Sequence, residues 1–160
     1  MNLIQFTDYK YEIIKEIIKS QPIISLLTNL PNTNPDDIDL VDDQIYGYPY
    51  VPDIQTEEKT FICLDTNVSK TVNNTVNEFE ISIWVFTAYS LQKLPSSFGR
   101  RGNRIDNIVT ELDKILNGYD GLAIGRFELR PTKTFSPADG YTGKLLQYRC
   151  YGFNQNEGQY

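Results

Sequence analysis

The sequence predicts an α+β domain: an antiparallel or mixed sheet with two main helices packed on one face, plus a long acidic loop. Three observations carry this. Two segments repeat apolar residues at helical spacing, one near residues 13–18 and one over 105–116. Four segments read as strands, in pairs on either side of the second helix. Between the first helix and the first strand, residues 31–59 are rich in Pro and Asp, and no Lys or Arg occurs from Ser20 to Glu58.

In the first helix Ile13, Ile14, Ile17 and Ile18 lie on one face, with Lys10, Glu12, Lys15, Glu16 and Lys19 at other positions. Asp8 is the expected N-cap, and Glu12–Lys15 and Glu16–Lys19 are spaced to pair at i, i+3. Ser20-Gln21-Pro22 reads as a stop and a restart, because Pro is tolerated in a first turn, and a short helix over Ile23 to Leu27 follows. Residues 31–59 then form the acidic arm. Ile45, Tyr46, Tyr48 and Tyr50 are set within it, so part of it is expected to pack on something.

Phe61-Ile62-Cys63-Leu64 predicts a buried strand, and the polar stretch from Thr66 to Asn77 predicts a turn or hairpin tip. Glu78 to Tyr89 is the strongest strand. Phe79, Ile81, Ile83 and Val85 alternate onto one face, and Trp84, Phe86 and Ala88 make the other face apolar toward its end. Such a strand belongs in the middle of a sheet covered on both sides. The second helix starts near Asn103 and carries Ile105, Ile108, Val109, Leu112, Ile115 and Leu116 on one stripe. Asp106 in its first turn and Lys114 in its last suit the macrodipole, and Asn117-Gly118 supplies a left-handed stop. Leu122 to Arg130, with a bulge at Gly125, and Lys144 to Phe153 predict an antiparallel hairpin around a loop tip from Pro131 to Gly143. Residues 154–160 read as a loose tail.

The chain has 160 residues, the size of a single domain, and no internal repeat. Aromatic residues are 12%, which opposes disorder of the whole chain. No apolar run approaches the roughly 20 residues that span a bilayer. The start, Met1 to Asp8, lacks the pattern of a signal peptide, so a soluble protein of the cytoplasm is expected, with no membrane partner.

There is no His, which removes the usual general base and the commonest metal ligand. Hydrolysis by a Ser-His or Cys-His pair is excluded. Cys63 and Cys150 are too few for a zinc ribbon and are expected as buried small hydrophobes. Asp37, Asp39, Asp42 and Asp43 lack the Gly and the closing Glu of a calcium loop. The Gly121 to Gly125 segment has no strand-then-helix context for a phosphate loop. No catalytic, cofactor or metal residues are therefore assigned, and the protein is expected not to be an enzyme. Carboxylate chemistry by Glu78, Glu80 or Asp65 is the weakest of the rival readings.

Net charge is −6, which opposes sequence-independent binding of nucleic acid. Residues 1–60 hold four bases against eleven acids, a balance of −7, whereas residues 61–160 hold eleven bases against ten acids, a balance of +1. The acid is thus concentrated in the arm, at Asp36, Asp37, Asp39, Asp42 and Asp43 beside Tyr46, Tyr48 and Tyr50. Arg100, Arg101 and Arg104 cluster just ahead of a helix N-terminus, where the macrodipole disfavours positive charge. The expectation is that this basic corner meets the acidic arm of a neighbouring copy, as in a head-to-tail ring.

The second half carries a resemblance. Gly102-x-Arg104-x-Asp106-x-Ile108-x-x-x-Leu112-x-x-x-Leu116-x-Gly118 follows a strand of the type Glu80-x-Ser82-x-Trp84-x-Phe86, and a small-residue strand and hairpin end the chain. Over roughly Phe61 to Phe153 this resembles the tail terminator (tail completion) proteins of long-tailed bacteriophages and related head–tail joining neck proteins. The resemblance implies a structural virion protein, made in the host cytoplasm, that assembles as a hexameric ring. It implies that the ring caps the tail tube, stops further addition of tail tube protein and meets the head connector protein. It carries over no catalytic residue. An acidic lining would let DNA pass through without specific binding. The alternative from another class is an acidic adaptor, or an inhibitor that imitates nucleic acid.

Overall fold

Helix formation starts from the apolar stripes read above. The computed structural model describes residues 3–52, 58–72, 76–119 and 124–153. In chain order these form helices α1 (Leu3–Ile18) and α2 (Gln21–Thr28), strand β1 (Ile45–Tyr46), and strands β2 (Thr60–Thr71) and β3 (Val76–Ala88). Helix α3 (Arg104–Leu116) and strands β4 (Ile124–Leu129), β5 (Lys133–Phe135) and β6 (Tyr141–Phe153) follow. The sheet is six-stranded, in the order β1-β2-β3-β6-β4, with β5 also on β6. Among the described residues β1 runs parallel to β2, and the other strand pairings are antiparallel. The fold is the expected α+β type with an open mixed sheet.

One face of the sheet takes all three helices. Ile62 and Leu64 of β2, Phe79, Ile81, Ile83 and Val85 of β3, and Leu146, Tyr148 and Cys150 of β6 bury against Ile13, Ile17, Ile24, Leu26, Ile108 and Leu112 of the helices. Each such side chain contributes about 1.5–3 kcal/mol by leaving water. Tyr148 also donates its hydroxyl to Asp113 Oδ1 at 2.8 Å, which ties α3 to β6; burial, and then this hydrogen bond, push the phenol pKa up. The other face holds a smaller cluster of Tyr46, Phe61, Cys63, Phe86, Ala88 and Tyr141, with Tyr50, Trp84 and Phe135 against it. β3 is therefore central and apolar on both faces, as its alternation predicts. Within this second cluster Phe86 lies opposite Gly143. A Cβ at Gly143 would sit 2.3 Å from the Val85 carbonyl oxygen, so only Gly lets β6 approach there.

Several boundaries differ from the sequence expectation, each for a physical reason. α1 begins at Leu3, so Asp8 lies inside the helix rather than capping it; the interior penalty for Asp is at most about 0.7 kcal/mol, small enough for the helix to run past it. Glu12–Lys15 and Glu16–Lys19 do pair, at 2.9 and 3.8 Å. β2 continues through Thr66 to Thr71, where a polar tip was expected, because β3 supplies ladder partners there, with a register shift between Val68 and Lys70. β5 lies within the expected loop tip between β4 and β6. β4 pairs with residues 148–151 of β6 and β5 with residues 143–145, and Arg130 N donates to Gln147 O between them. The two are one edge interrupted at Pro131, which has no N–H to give the ladder. The register of β4 shifts between Ile124 and Glu128, the stretch that contains Gly125. Leu122, Gly121 and the 154–160 tail lie outside the described residues.

α3 starts next to Asn103 and stops at Asn117-Gly118, as expected, and Asn103 caps its first turn. Asn103 Oδ1 accepts from Asp106 N at 2.8 Å, its amide donates to Asp106 Oδ2 at 3.0 Å, and Gly118 follows the helix with φ +78°.

Candidate interaction surfaces

The acidic arm is folded onto the domain over its described part. After α2, Asn34 caps a single 3-10 turn, Pro35–Asp37. Leu40 is buried, and its carbonyl accepts from the amides of Asp43, Gln44 and Ile45. β1 then pairs with β2. The anchor is Gln44, whose buried amide donates to Leu27 O at 2.7 Å and to Thr60 O at 2.9 Å. Gln44 thus joins the C-terminal carbonyls of α2 to the start of β2. The arm's acids face outward: Asp36, Asp37, Asp39 and Asp42 are exposed, and Asp43 pairs with Lys59 at 2.7 Å.

The three arm tyrosines divide. Tyr46 is buried and stacks on Tyr50 with ring centroids 4.2 Å apart. Tyr48 lies edge-on to Tyr46 and is 51% exposed. Pro49, Tyr50, Val51, Cys63, Trp84, Phe86, Phe135 and Pro137 line an open apolar cleft of about 170 Å³ on the second face of the sheet. Val51 at its rim is 67% exposed.

The basic corner is taken apart by the fold. Arg104 is the first residue of α3 and is 1% exposed, so it is no surface residue, contrary to the sequence expectation. Its guanidinium donates to Leu91 O at 2.6 Å, to Leu26 O and to Asn29 Oδ1. It lies 5.8 Å from the Phe98 ring centroid. The physical reason is the C-terminus of α2: Leu26 O is one of its last carbonyls, which lack a helical partner and carry the negative end of the helix dipole. Arg104 answers that end from inside, and burial lowers its pKa. Arg100 pairs with Glu111 at 3.0 Å and lines a cleft with Pro31 and Asn32, so it stands beside the start of the acidic arm of its own chain. Arg101 is exposed. Lys114 reaches the same Glu111 oxygen at 3.0 Å. Burial acts to raise the Glu111 pKa, but hydrogen bonds from Lys114 and Arg100 outweigh it, and the net shift is downward.

The remaining groups singled out in the sequence sit in structural contacts. Asp65 pairs with Lys10 at 3.3 Å, Glu78 with Arg149 at 3.7 Å, and Glu80 accepts from Gln147 at 2.7 Å. Cys63 and Cys150 belong to the clusters on opposite faces of the sheet, on strands separated by β3, too far for a disulfide. Burial pushes the Cys63 thiol up to about 11 and the Cys150 thiol further up. Among the described residues no group of three or more His, Cys, Asp or Glu could hold a metal ion, and no helix is long and apolar enough to cross a membrane.

Three bases that sequence reasoning did not single out share one margin. Arg126, Arg130 and Lys133 are exposed along β4 and β5. Their signal is weak in the sequence, because it becomes a line only once β5 is known to continue the edge of β4.

Fold and surface together define a small α+β domain with an acidic arm, a partly covered aromatic face and a basic margin. Comparison with protein families is specific. The model of the YomW family matches residues 20–150, from the entry to α2 to the body of β6, and the chain belongs to that family, which is phage-associated. No curated protein matches the chain.

Proposed function

We propose that this protein is a structural component of the phage particle, a tail terminator-like ring subunit that caps the tail tube and joins it to the head connector. It works by fitting against copies of itself and against other virion proteins, without transforming a substrate. The phage-associated family and the resemblance of roughly Phe61 to Phe153 to tail terminators support the reading. The observation that carries it is the second face of the sheet. Its aromatic cluster is only partly roofed, leaving an open cleft with Val51 67% exposed at the rim and Trp84 in the wall. Aromatic side chains at a partly covered apolar face are the composition of interface cores. Co-sedimentation with purified tail tubes tests this directly: the protein pellets with tubes and saturates at tube ends. Protein that stays in the supernatant at every concentration rejects it.

A second reading is an acidic adaptor or inhibitor that imitates nucleic acid. Four exposed aspartates within seven residues, Asp36, Asp37, Asp39 and Asp42, favour it. It predicts competition with DNA for a basic nuclease or polymerase, and no affinity for tubes.

A further inference from the structure

Exposed charge without an ion pair among the described residues gathers at opposite margins of the sheet, with Lys70, Lys93 and Arg101 as scattered exceptions among the bases. On the β1 side, Asp36, Asp37, Asp39 and Asp42 are exposed and make no ion pair among the described residues, while Asp43 is taken by Lys59. On the far side, Arg126, Arg130 and Lys133 are exposed within eight residues and likewise make no ion pair. The acid of β4, Glu128, is taken by Arg149 at 2.7 Å, and Asp139, in the turn after β5, pairs with none of the three bases. The exposed lysines on or just after α1 and α3 have partners: Lys15 with Glu12, Lys19 with Glu16 and Lys114 with Glu111.

The order β1-β2-β3-β6-β4 puts four interstrand spacings between the margins, roughly 19 Å at about 4.8 Å each. That exceeds the Debye length of about 8 Å at physiological salt, so the two patches do not neutralise one another within one chain. Each margin also exposes an aliphatic side chain amid its charges: Leu129, 38% exposed, between Arg126 and Arg130, and Ile38, 40% exposed, between Asp37 and Asp39.

We propose that the two margins are halves of one contact, in which the β4–β5 margin of one copy seats against the acidic arm of the next. The proposal rests on the reading that the protein assembles with itself, and it names the faces that meet. It replaces the Arg100–Arg104 corner, whose guanidiniums at 100 and 104 are engaged within their own chain. The contact is heterologous, each copy offering one acid and one basic side, so successive copies close into a ring where the rotation permits. Opposite charge sets the register and speeds encounter, and Leu129 and Ile38 supply apolar area.

Sedimentation velocity at low and high salt tests this, with two charge reversals: Arg130→Glu with Lys133→Glu, and Asp36→Lys with Asp37→Lys. Asp42 is left alone because its φ of +60° suits Asp but strains Lys. Wild type assembles, more weakly as salt rises. Each reversed variant dissociates about tenfold or more readily, and an equimolar mixture of the two assembles again, because each supplies the face the other needs. Thermal melting checks that the variants fold; should a reversal not fold, Arg130→Gln with Lys133→Gln is its replacement and weakens assembly in the same direction. Wild type that assembles while both reversals assemble equally well overturns the pairing of these margins and leaves self-assembly standing. Reversals that dissociate without rescue in the mixture also overturn the pairing. A wild type that stays monomeric at all concentrations overturns both the pairing and the assembly it rests on.

Discussion

Arg104 shows how far a single residue can depart from its sequence context. Its neighbours in the chain are Arg100, Arg101 and a helix start, which together suggest an exposed cation. Its partners, Leu26 and Asn29, lie 78 and 75 residues away, and no local pattern encodes them. Removing the side chain in Arg104→Ala leaves the buried Leu26 carbonyl without its guanidinium donor, at about 1–3 kcal/mol before relaxation, and also removes the part-buried bonds to Leu91 O and Asn29 Oδ1. A loss of about 3 kcal/mol in urea unfolding is expected, far more than for the exposed Arg101→Ala. Glu111 makes a second prediction at this scale. Its folded pKa lies below the ordinary glutamate value of about 4.3, so its ion pairs stabilise the fold above that pH. The contribution is lost as pH falls through the depressed folded value. Glu111→Gln therefore melts below wild type near pH 7, and the two curves converge in acid.

At the scale of elements, the long periodic pieces were legible and the short ones were not. The stripe from Ile105 to Leu116 and the alternation from Phe79 to Val85 each span enough residues to define a period, and both form as read. β1 and β5 have two and three residues, too few for any period, and exist because a neighbouring strand offers a ladder. The arm from Pro31 read as a loop for the same reason: its anchors, Leu40, Gln44 and Ile45, are scattered among acids and become visible only in contact with α2 and β2. Gln44 holds this element. Gln44→Ala strips donors from Leu27 O and Thr60 O, each cost being about 1–3 kcal/mol. Limited proteolysis is expected to cut the variant within residues 31–52 at least tenfold faster than wild type, with the helices still protected. Equal cutting rates would show that the arm is held by something other than Gln44.

For the molecule as a whole, the sequence's charge balance announced an acidic half, but it could not say where the answering bases lie. Arg100 and Arg104 looked like the answer because they are close in the chain. In space, Arg100 stands beside the arm of its own chain, while Arg126, Arg130 and Lys133 gather on the opposite margin because two short strands share one edge. Topology, which no local window contains, decides the matter. The two-sided sheet follows the same rule: the apolar ends of β3 foretold cover on both faces, whereas the incompleteness of that cover on the second face emerged only from packing.

We propose that this YomW-family protein acts by closing an assembly rather than by chemistry. Polymerisation of purified tail tube protein, followed by electron microscopy with and without this protein, tests that most directly. The account predicts shorter tubes, each ended by a ring of this protein, at substoichiometric amounts. Tubes of unchanged length with bare ends, at any amount added, would contradict it.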